Sequence, residues 1–338
     1  MAVVRDRRPQ LNLTLELPLK DSIAAAAGRR FQLVPPAAPP ASVASATCSE
    51  HRLADLEKTQ VLGHGNGGNV YKARHRRTGA VYALKLLHPH DQSDPALRRH
   101  IYREIEILRR TDSPHVVHCH SIIQSGSSSG DFALLLEYMD AGTLESLLHQ
   151  RRRFPEAALA DVARQVLKGL AYLHAQKIVH RDIKPSNLLV NRSGEIKISD
   201  FGVSKVMTRT LTPCDSYVGT CAYMSPERFD PGTYGGSYDG YAGDVWSLGL
   251  TVLELYLGHF PLLPEGQRPD WATLMCAICF GERPSLPDSA SEDLRGFVDC
   301  CLQRDANKRW TAEQLLAHPF VTRSQTDSTL AFKELLQD

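Results

Sequence analysis

No run of apolar residues in this 338-residue chain approaches the length of a membrane-spanning helix, which needs about 20 in succession. Neither sign of charge is in excess. The 39 Lys and Arg face 38 Asp and Glu, for a formal net charge of +1, which argues against any global pull toward nucleic acid or a membrane surface. Cysteine is sparse: eight residues read as scattered, apart from the neighbours Cys300 and Cys301, with no Cys-x-x-Cys pair and no Cys/His spacing of a zinc site expected among them. Reduced thiols in an intracellular protein are therefore expected rather than a disulfide framework. The start MAVVRDRRPQ carries basic residues but no adjoining apolar core of signal-peptide length. Its Ala, Ser and Arg content would suit an organelle transit peptide, an alternative that Asp6, Glu16 and Asp21 oppose. The expected residence is cytoplasmic, with the nucleus also open.

What is present is ordinary for a soluble globular protein: 42% hydrophobic and 23% charged residues. The length suffices for two lobes and a tail. Residues 1–50 stand apart as an N-terminal extension. The segment Ala24–Ser49 is rich in Ala, Pro and Ser, with PPAAPPAS at its centre, and reads as a flexible or polyproline-like linker. Before it, RDRRPQLNLTLELPL alternates Leu11, Leu13, Leu15 and Leu17. Such a segment suits an edge strand, or an extended peptide over residues 5–17 whose Arg5, Arg7 and Arg8 pair with acidic groups of a partner. The linker behind it favours the second reading.

From Leu56 the pattern changes. LEKTQVLGHGNGGNVYKARHRRTGAVYALKLL reads as two or three strands broken by glycines and by a turn at Thr78-Gly79. In DPALRRHIYREIEILRR, Ile101, Ile105 and Leu108 fall at helical spacing. VVHCHSIIQ and FALLLEYM then read as strands joined by SGSSSGD. Residues 56–139 thus form a β-rich unit with one main helix. After Asp140 helices dominate: EAALADVARQVLKGLAYLHAQ has Val162, Val166, Leu170 and Leu173 at helical spacing. GDVWSLGLTVLELYLG is nearly all apolar and predicts a buried helix, and SEDLRGFVDCCLQ places Leu294, Phe297, Val298, Cys301 and Leu302 on one face.

Four motifs occur in order along this frame. The first is Gly63-x-Gly65-x-x-Gly68-x-Val70. In a dinucleotide fold such glycines lead into a helix; here they lead into the strand-like VYKARH. The loop is therefore the tip of a hairpin whose amides can close over phosphates. The second is Lys85 in VYALK, on the same strand face as Val81 and Ala83. An inward lysine is costly unless paired, and Glu104, at the margin of the helix's apolar face, is the expected partner. The third is HRDIKPSN, residues 180–187, and the fourth is Asp200-Phe201-Gly202. Each string alone arises by chance; the ordered series does not.

In these motifs residues 56–320 resemble the eukaryotic protein kinases. The resemblance implies an α+β, bilobal protein kinase fold: a β-rich N-lobe (56–139), a mostly helical C-lobe (140–320) and a C-terminal tail (321–338). It implies ATP and Mg²⁺ as cofactors. Lys85 would hold the α- and β-phosphates and be held by Glu104. Asp182 would accept the substrate hydroxyl proton, Lys184 would steady the γ-phosphate, and Asn187 and Asp200 would bind the metal. Leu62, Gly63, Gly65, Gly68, Val70 and Ala83 would cover the nucleotide. The backbone from Glu137 to Met139 would meet adenine, with Leu136 as gatekeeper. Glu227 of Ser225-Pro226-Glu227 should pair with Arg309 of NKRW. No catalytic position departs from the pattern, so a pseudokinase is not expected, and Lys184 is the form typical of serine/threonine kinases.

DFGVSK, YVGTCAYMSPERF, EYMDAGTL and HRDIKPSN are similar to the MAP kinase kinases. GHFPLLPEGQRPDWATLMCAICFGERPSLP with FVDCCLQ looks most like the plant group D of that family. The resemblance implies a dual-specificity kinase that phosphorylates the activation-loop Thr and Tyr of a downstream MAP kinase. It would engage that substrate through an N-terminal docking peptide (Arg5, Arg7, Arg8, Leu11 and Leu13) and be activated by an upstream MAP kinase kinase kinase. A serine/threonine kinase with other substrates and a MAP kinase docking scaffold are the alternatives. Between Asp200 and Glu227, TRTLTPCDS reads as an activation segment. The plant spacing selects Thr210 and Ser216, the animal spacing Thr212 and Ser216, and Thr212-Pro213 would also suit a proline-directed feedback site. The tail STLAFKELLQD is either a docking site for the upstream kinase or a short helix capping the C-lobe.

Overall fold

The computed structural model describes residues 51–65, 68–87, 105–124, 132–200, 221–233, 238–264, 270–323 and 325–337. Five strands build the N-lobe: β1 (Leu56–Gly65), β2 (Gly68–His75), β3 (Val81–Leu87), β4 (Cys119–Gln124) and β5 (Phe132–Glu137). They form one sheet in the order β1-β2-β3-β5-β4, every neighbour antiparallel. The strand period of two gives this sheet two different faces. Leu56, Ala73, Leu84, Ala133 and Leu135 are buried together on one. The register sets Val70, Lys85 and Leu134 in a row on the other, with Lys72, Ala83 and Leu136 in the next row. The turn expected at Thr78-Gly79 is present, with Gly79 at a φ of 74° and its N–H donated to the His75 carbonyl at 2.8 Å. Residues 105–110 are helical and bury Ile105 and Leu108.

The C-lobe begins with β6 (Gly142–Thr143), which pairs with β7 (Leu188–Val190), itself paired with β8 (Ile196–Ile198). Helix α1 (Leu144–Arg151) starts at a capping box in which Thr143 and Ser146 satisfy each other's backbone N–H groups. Helix α2 (Glu156–Ala175) begins directly after Pro155. It is followed by α3 (Pro226–Phe229), α4 (Gly240–Leu257), α5 (Trp271–Met275), α6 (Glu292–Cys301), α7 (Ala312–Leu316), α8 (Pro319–Thr322) and α9 (Gln325–Gln337). The apolar run predicted to be a buried helix is α4. Asp239 caps its N-terminus, Gly258 ends it in the left-handed conformation, and Val245, Trp246, Leu248, Leu250, Val252, Leu253 and Leu255 are almost wholly buried. Helix α6 buries Leu294, Phe297, Val298 and Cys301, as its spacing predicted.

The C-terminal residues form the capping helix of the two readings. Helix α9 packs on α2 and buries Phe332 completely. A polar latch holds it there: Arg164 of α2 donates to the Thr329 hydroxyl at 2.8 Å and pairs with the buried Asp161. The cysteine reading needs one correction. Cys276-Ala277-Ile278-Cys279 is a Cys-x-x-Cys pair, carried on the helical turn that continues α5, with Cys276 exposed and Cys279 buried. Among the described residues no group of His, Cys, Asp and Glu is placed to hold a metal as a cluster.

Candidate active site

The glycine motif lies where a hairpin tip was expected, since the pairing of β1 with β2 closes on Gly65 opposite Gly68. Asn66 and Gly67 lie outside the described residues. Gly68 has a φ of 117°, and a Cβ on it would lie 1.7 Å from the Leu86 carbonyl oxygen of β3. Only glycine lets the second strand pass this close to its neighbour. Beneath the hairpin, Val70 and Ala83 share the face that carries Lys85.

Lys85 is 7% exposed, so its ammonium needs an anion. Its described partner is the Asp200 carboxylate, which accepts a hydrogen bond from it across the cleft. Glu104, the partner expected from the sequence, lies outside the described residues. Loss of solvent works against the ionised form of Asp200. The charge and hydrogen bond of Lys85 outweigh it and hold the carboxyl below its ordinary range, with Asp182 pushing it up and His180 down. The carboxylate is thus anionic at neutral pH, the form a hard cation binds.

The catalytic loop is fixed by a chain of hydrogen bonds. Asn187 donates its amide to the Asp182 carbonyl at 2.8 Å and to the Asp182 carboxylate at 3.0 Å. The Lys184 ammonium stands 3.6 Å from the same carboxylate. The Asn187 carbonyl accepts the Ser199 N–H at 2.9 Å and the Ser199 hydroxyl at 3.0 Å, and His180 Nε2 meets the Ser199 carbonyl at 2.8 Å. Asp182, Lys184 and Asn187 are thereby joined to the residue directly before Asp200. Below them Asp244 of α4, fully buried, accepts the N–H of His180 at 2.9 Å and of Arg181 at 2.7 Å, and lies 3.0 Å from His174 Nε2.

The connection between the lobes follows β5. Leu136 shares the sheet face of Ala83, and the Glu137 N–H is donated to the His118 carbonyl at 2.9 Å. Lys197 of β8 grips both Glu137 oxygens, at 2.7 and 2.9 Å. It links the strand end expected to meet adenine with the strand that leads to Asp200. Farther down, Glu227 and Arg309 form the expected ion pair, with two hydrogen bonds of 2.6 and 2.7 Å and both side chains buried.

The structure thus pairs Lys85 with Asp200 and joins Asp182 to Asn187 and Lys184, with Asp182 near enough to Asp200 to act on its carboxyl. Val70 and Ala83 share the sheet face of Lys85, and Leu62 is exposed on β1. The described side of the metal pair fits a hard ion, because its donors are the oxygen-bearing carboxylate and amide of Asp200 and Asn187. Arg5, Arg7, Arg8, Leu11, Leu13, Thr210, Thr212 and Ser216 lie outside the described residues. Sequence reasoning missed Asp244, Lys197 and Arg228. Only Asp244 left a signal, as one of two carboxylates, with Glu254, inside a largely apolar helix.

Comparison with known proteins agrees with this geometry. The family model described as protein kinase domain matches residues 56–321. The chain belongs to the protein kinases and is an enzyme of that class. Membership implies ATP as the phosphoryl donor and a requirement for a metal ion. Among curated proteins, it is 58% identical to mitogen-activated protein kinase kinase 9 of Arabidopsis thaliana over 322 residues, 95% of this chain and 99% of that one. Mitogen-activated protein kinase kinase 7 of the same plant is 58% identical over 270 residues, 80% of this chain and 86% of the relative. A moss relative, mitogen-activated protein kinase kinase 1c of Physcomitrium patens, is 40% identical over 304 residues, 88% and 85% of the two chains. Within the protein kinases, the chain is therefore a MAP kinase kinase, and its likeness to the Arabidopsis proteins is consistent with plant group D.

Proposed function

We propose that this kinase transfers the γ-phosphoryl group of ATP to both the threonine and the tyrosine of a MAP kinase activation loop. The observation that carries the chemistry is the convergence of Lys85, Asp200, Asn187 and Asp182 in one bonded set. The names of the relatives carry the substrate class.

The substrate hydroxyl oxygen attacks the γ-phosphorus, the bond to the bridging oxygen breaks, and ADP leaves. Asp182 takes the hydroxyl proton. Its carboxylate is aimed by the Asn187 amide, so it needs no reorganisation during transfer. Lys184, beside the same carboxylate, meets the charge on the moving phosphoryl group. Lys85 leaves Asp200 for the α- and β-phosphates when nucleotide enters. Asp200 and Asn187 would hold Mg²⁺, which neutralises phosphate charge. The backbone of Glu137–Met139 receives adenine beneath Val70 and Ala83.

An upstream MAP kinase kinase kinase would switch the enzyme on by phosphorylating Ser216 with Thr210, or with Thr212. Each phosphate adds about −1.5 to −2 charges, which Arg181, next to Asp182 in the chain, would receive. The basic and leucine-rich residues 5–17 would dock the MAP kinase. Removing residues 1–17 should raise KM for that substrate and leave kcat unchanged, because docking is remote and uniform binding.

The test is an in vitro assay of the full chain against a panel of MAP kinases, with Lys85→Met as the control. Transfer to at least one MAP kinase, lost in the control, is expected. Transfer only to unrelated proteins would replace this reading with a serine/threonine kinase of other substrates. A MAP kinase bound but never phosphorylated would make the chain a scaffold.

A further inference from the structure

Arg228 directly follows Glu227, and nothing in the reaction described above uses it. It lies on the four-residue helix α3 at the far end of the activation segment. Its Nη1 donates to the backbone carbonyl of Arg181 at 2.6 Å. That carbonyl belongs to the peptide bond joining Arg181 to Asp182. The guanidinium carbon sits 5.9 Å from the centroid of the Tyr238 ring, a separation at which a cation is held over an aromatic face.

Arg181 has a φ of 69°, in the left-handed region that a residue with a side chain rarely enters. Such a conformation costs on the order of 1 kcal/mol or more and persists only where its surroundings hold it. Two hydrogen bonds do so here. Asp244 takes the Arg181 N–H at 2.7 Å from the core side, and Arg228 gives an N–H to the carbonyl. The first is buried under α4. The second comes from the base of the activation segment, and it sets the plane of the peptide that leads into Asp182.

We propose that Arg228 is a positioning residue: by holding the Arg181 carbonyl it fixes the orientation of Asp182 for proton abstraction. The proposal rests on the reading of Asp182 as the base. It gives the far anchor of the activation segment a direct hold on the catalytic loop. Among the described contacts Arg228 meets neither Lys85 nor Asp200, which pair with each other, so nucleotide binding is not expected to depend on it.

The experiment compares Arg228→Met, which keeps the length of the side chain and removes its donors, with Arg228→Lys, which keeps a charged donor. Each is made in the full chain and assayed for kcat, KM for ATP and Tm. Amide hydrogen exchange is followed in a peptide spanning residues 178–184. Arg228→Met should lower kcat roughly 10- to 100-fold, the scale of a misplaced catalytic group, and speed exchange in that peptide. KM for ATP should stay unchanged, and Arg228→Lys should recover much of both losses. An unchanged kcat, a lysine variant no better than methionine, or a loss of activity that tracks Tm and KM together would each overturn the proposal. If the wild-type chain transfers no phosphate, the assignment of Asp182 fails. The exchange arm still decides this one, since unaltered protection of residues 178–184 in Arg228→Met would refute it.

Discussion

The two lobes hold their polar groups in different ways. Among its described residues the N-lobe offers a buried ammonium, Lys85, on a sheet whose core is small and whose first strand leaves Val61 and Leu62 45% and 41% exposed. The described partner of that cation lies across the cleft, on the other lobe. The C-lobe instead sinks carboxylates and a guanidinium into its interior and pairs them there. Asp244 is fully buried beneath the catalytic loop, and Glu227 and Arg309 are buried together. A buried polar group that loses its partner pays the full cost of desolvation, so the C-lobe network behaves as a unit. On the proposed mechanism the N-lobe lysine exchanges one anion for another when a nucleotide arrives, so nucleotide capture would rest on a movable contact and transfer geometry on a fixed one.

The largest effect should come from the fixed side. Asp182→Asn removes the proton acceptor and keeps the shape, and should lower kcat by at least about 100-fold, with KM for ATP little changed in steady-state assays. A similar kcat would mean that the C-lobe carboxylate does not act as the base.

Next in size is the buried pair. Arg309 donates five hydrogen bonds, to both Glu227 oxygens and to the carbonyls of Gln303, Ala242 and Arg304. Arg309→Met strands the Glu227 charge and should destabilise the chain by about 3–5 kcal/mol. Thermal unfolding should show Tm lower by roughly 10 °C. A shift of a degree or less would place the pair outside the network.

A smaller effect is expected where the lobes join. Lys197→Met breaks the grip on Glu137 and should raise KM for ATP by up to about 10-fold, the scale of one charged hydrogen bond, while kcat stays near wild type. Equal falls in kcat and kcat/KM would show that β8 serves the transfer step rather than capture.

The smallest effect is a pH dependence of stability. Burial, aided by Glu145, raises the Glu254 pKa to about 7, against the lowering effect of its hydrogen bond from the Tyr223 hydroxyl at 2.5 Å. The folded chain therefore holds this proton more tightly than the unfolded chain does. The resulting stability is complete below the unfolded pKa and is lost as pH rises through about 7. Glu254→Gln keeps an acceptor for Tyr223 without the charge. Its Tm should exceed that of wild type by about 2–4 °C at pH 8, with the gap closing toward pH 5. A constant gap across that range would remove Glu254 as the titrating group.

Much of this was legible in the chain. The glycine hairpin, the inward Lys85 and the apolar run of α4 each declare themselves through period or cost. Glu227 with Arg309 followed from the family pattern. Lys197 was not legible, because in Ile196–Ile198 it reads as the solvent-facing residue of a short strand. It is held in only because the end of β5 presents Glu137. Asp244 looked like an interruption in an apolar helix, since its partners, the backbone N–H groups of His180 and Arg181, lie more than 60 residues earlier in the chain. Arg228 resembles any exposed arginine until the conformation of Arg181 is known. The tail left two readings open because its packing surface, on α2, is remote in sequence. In each case the deciding partner is distant along the chain, and local pattern carries no trace of it.

The central claim is dual specificity toward a MAP kinase, and mass-spectrometric mapping of phosphates tests it most directly. A purified MAP kinase, incubated with the full chain, ATP and Mg²⁺, should carry phosphate on both the threonine and the tyrosine of its activation loop, and on neither when Asp182→Asn replaces the wild type. Phosphate on the threonine alone, or on neither residue with the wild-type enzyme, would contradict it.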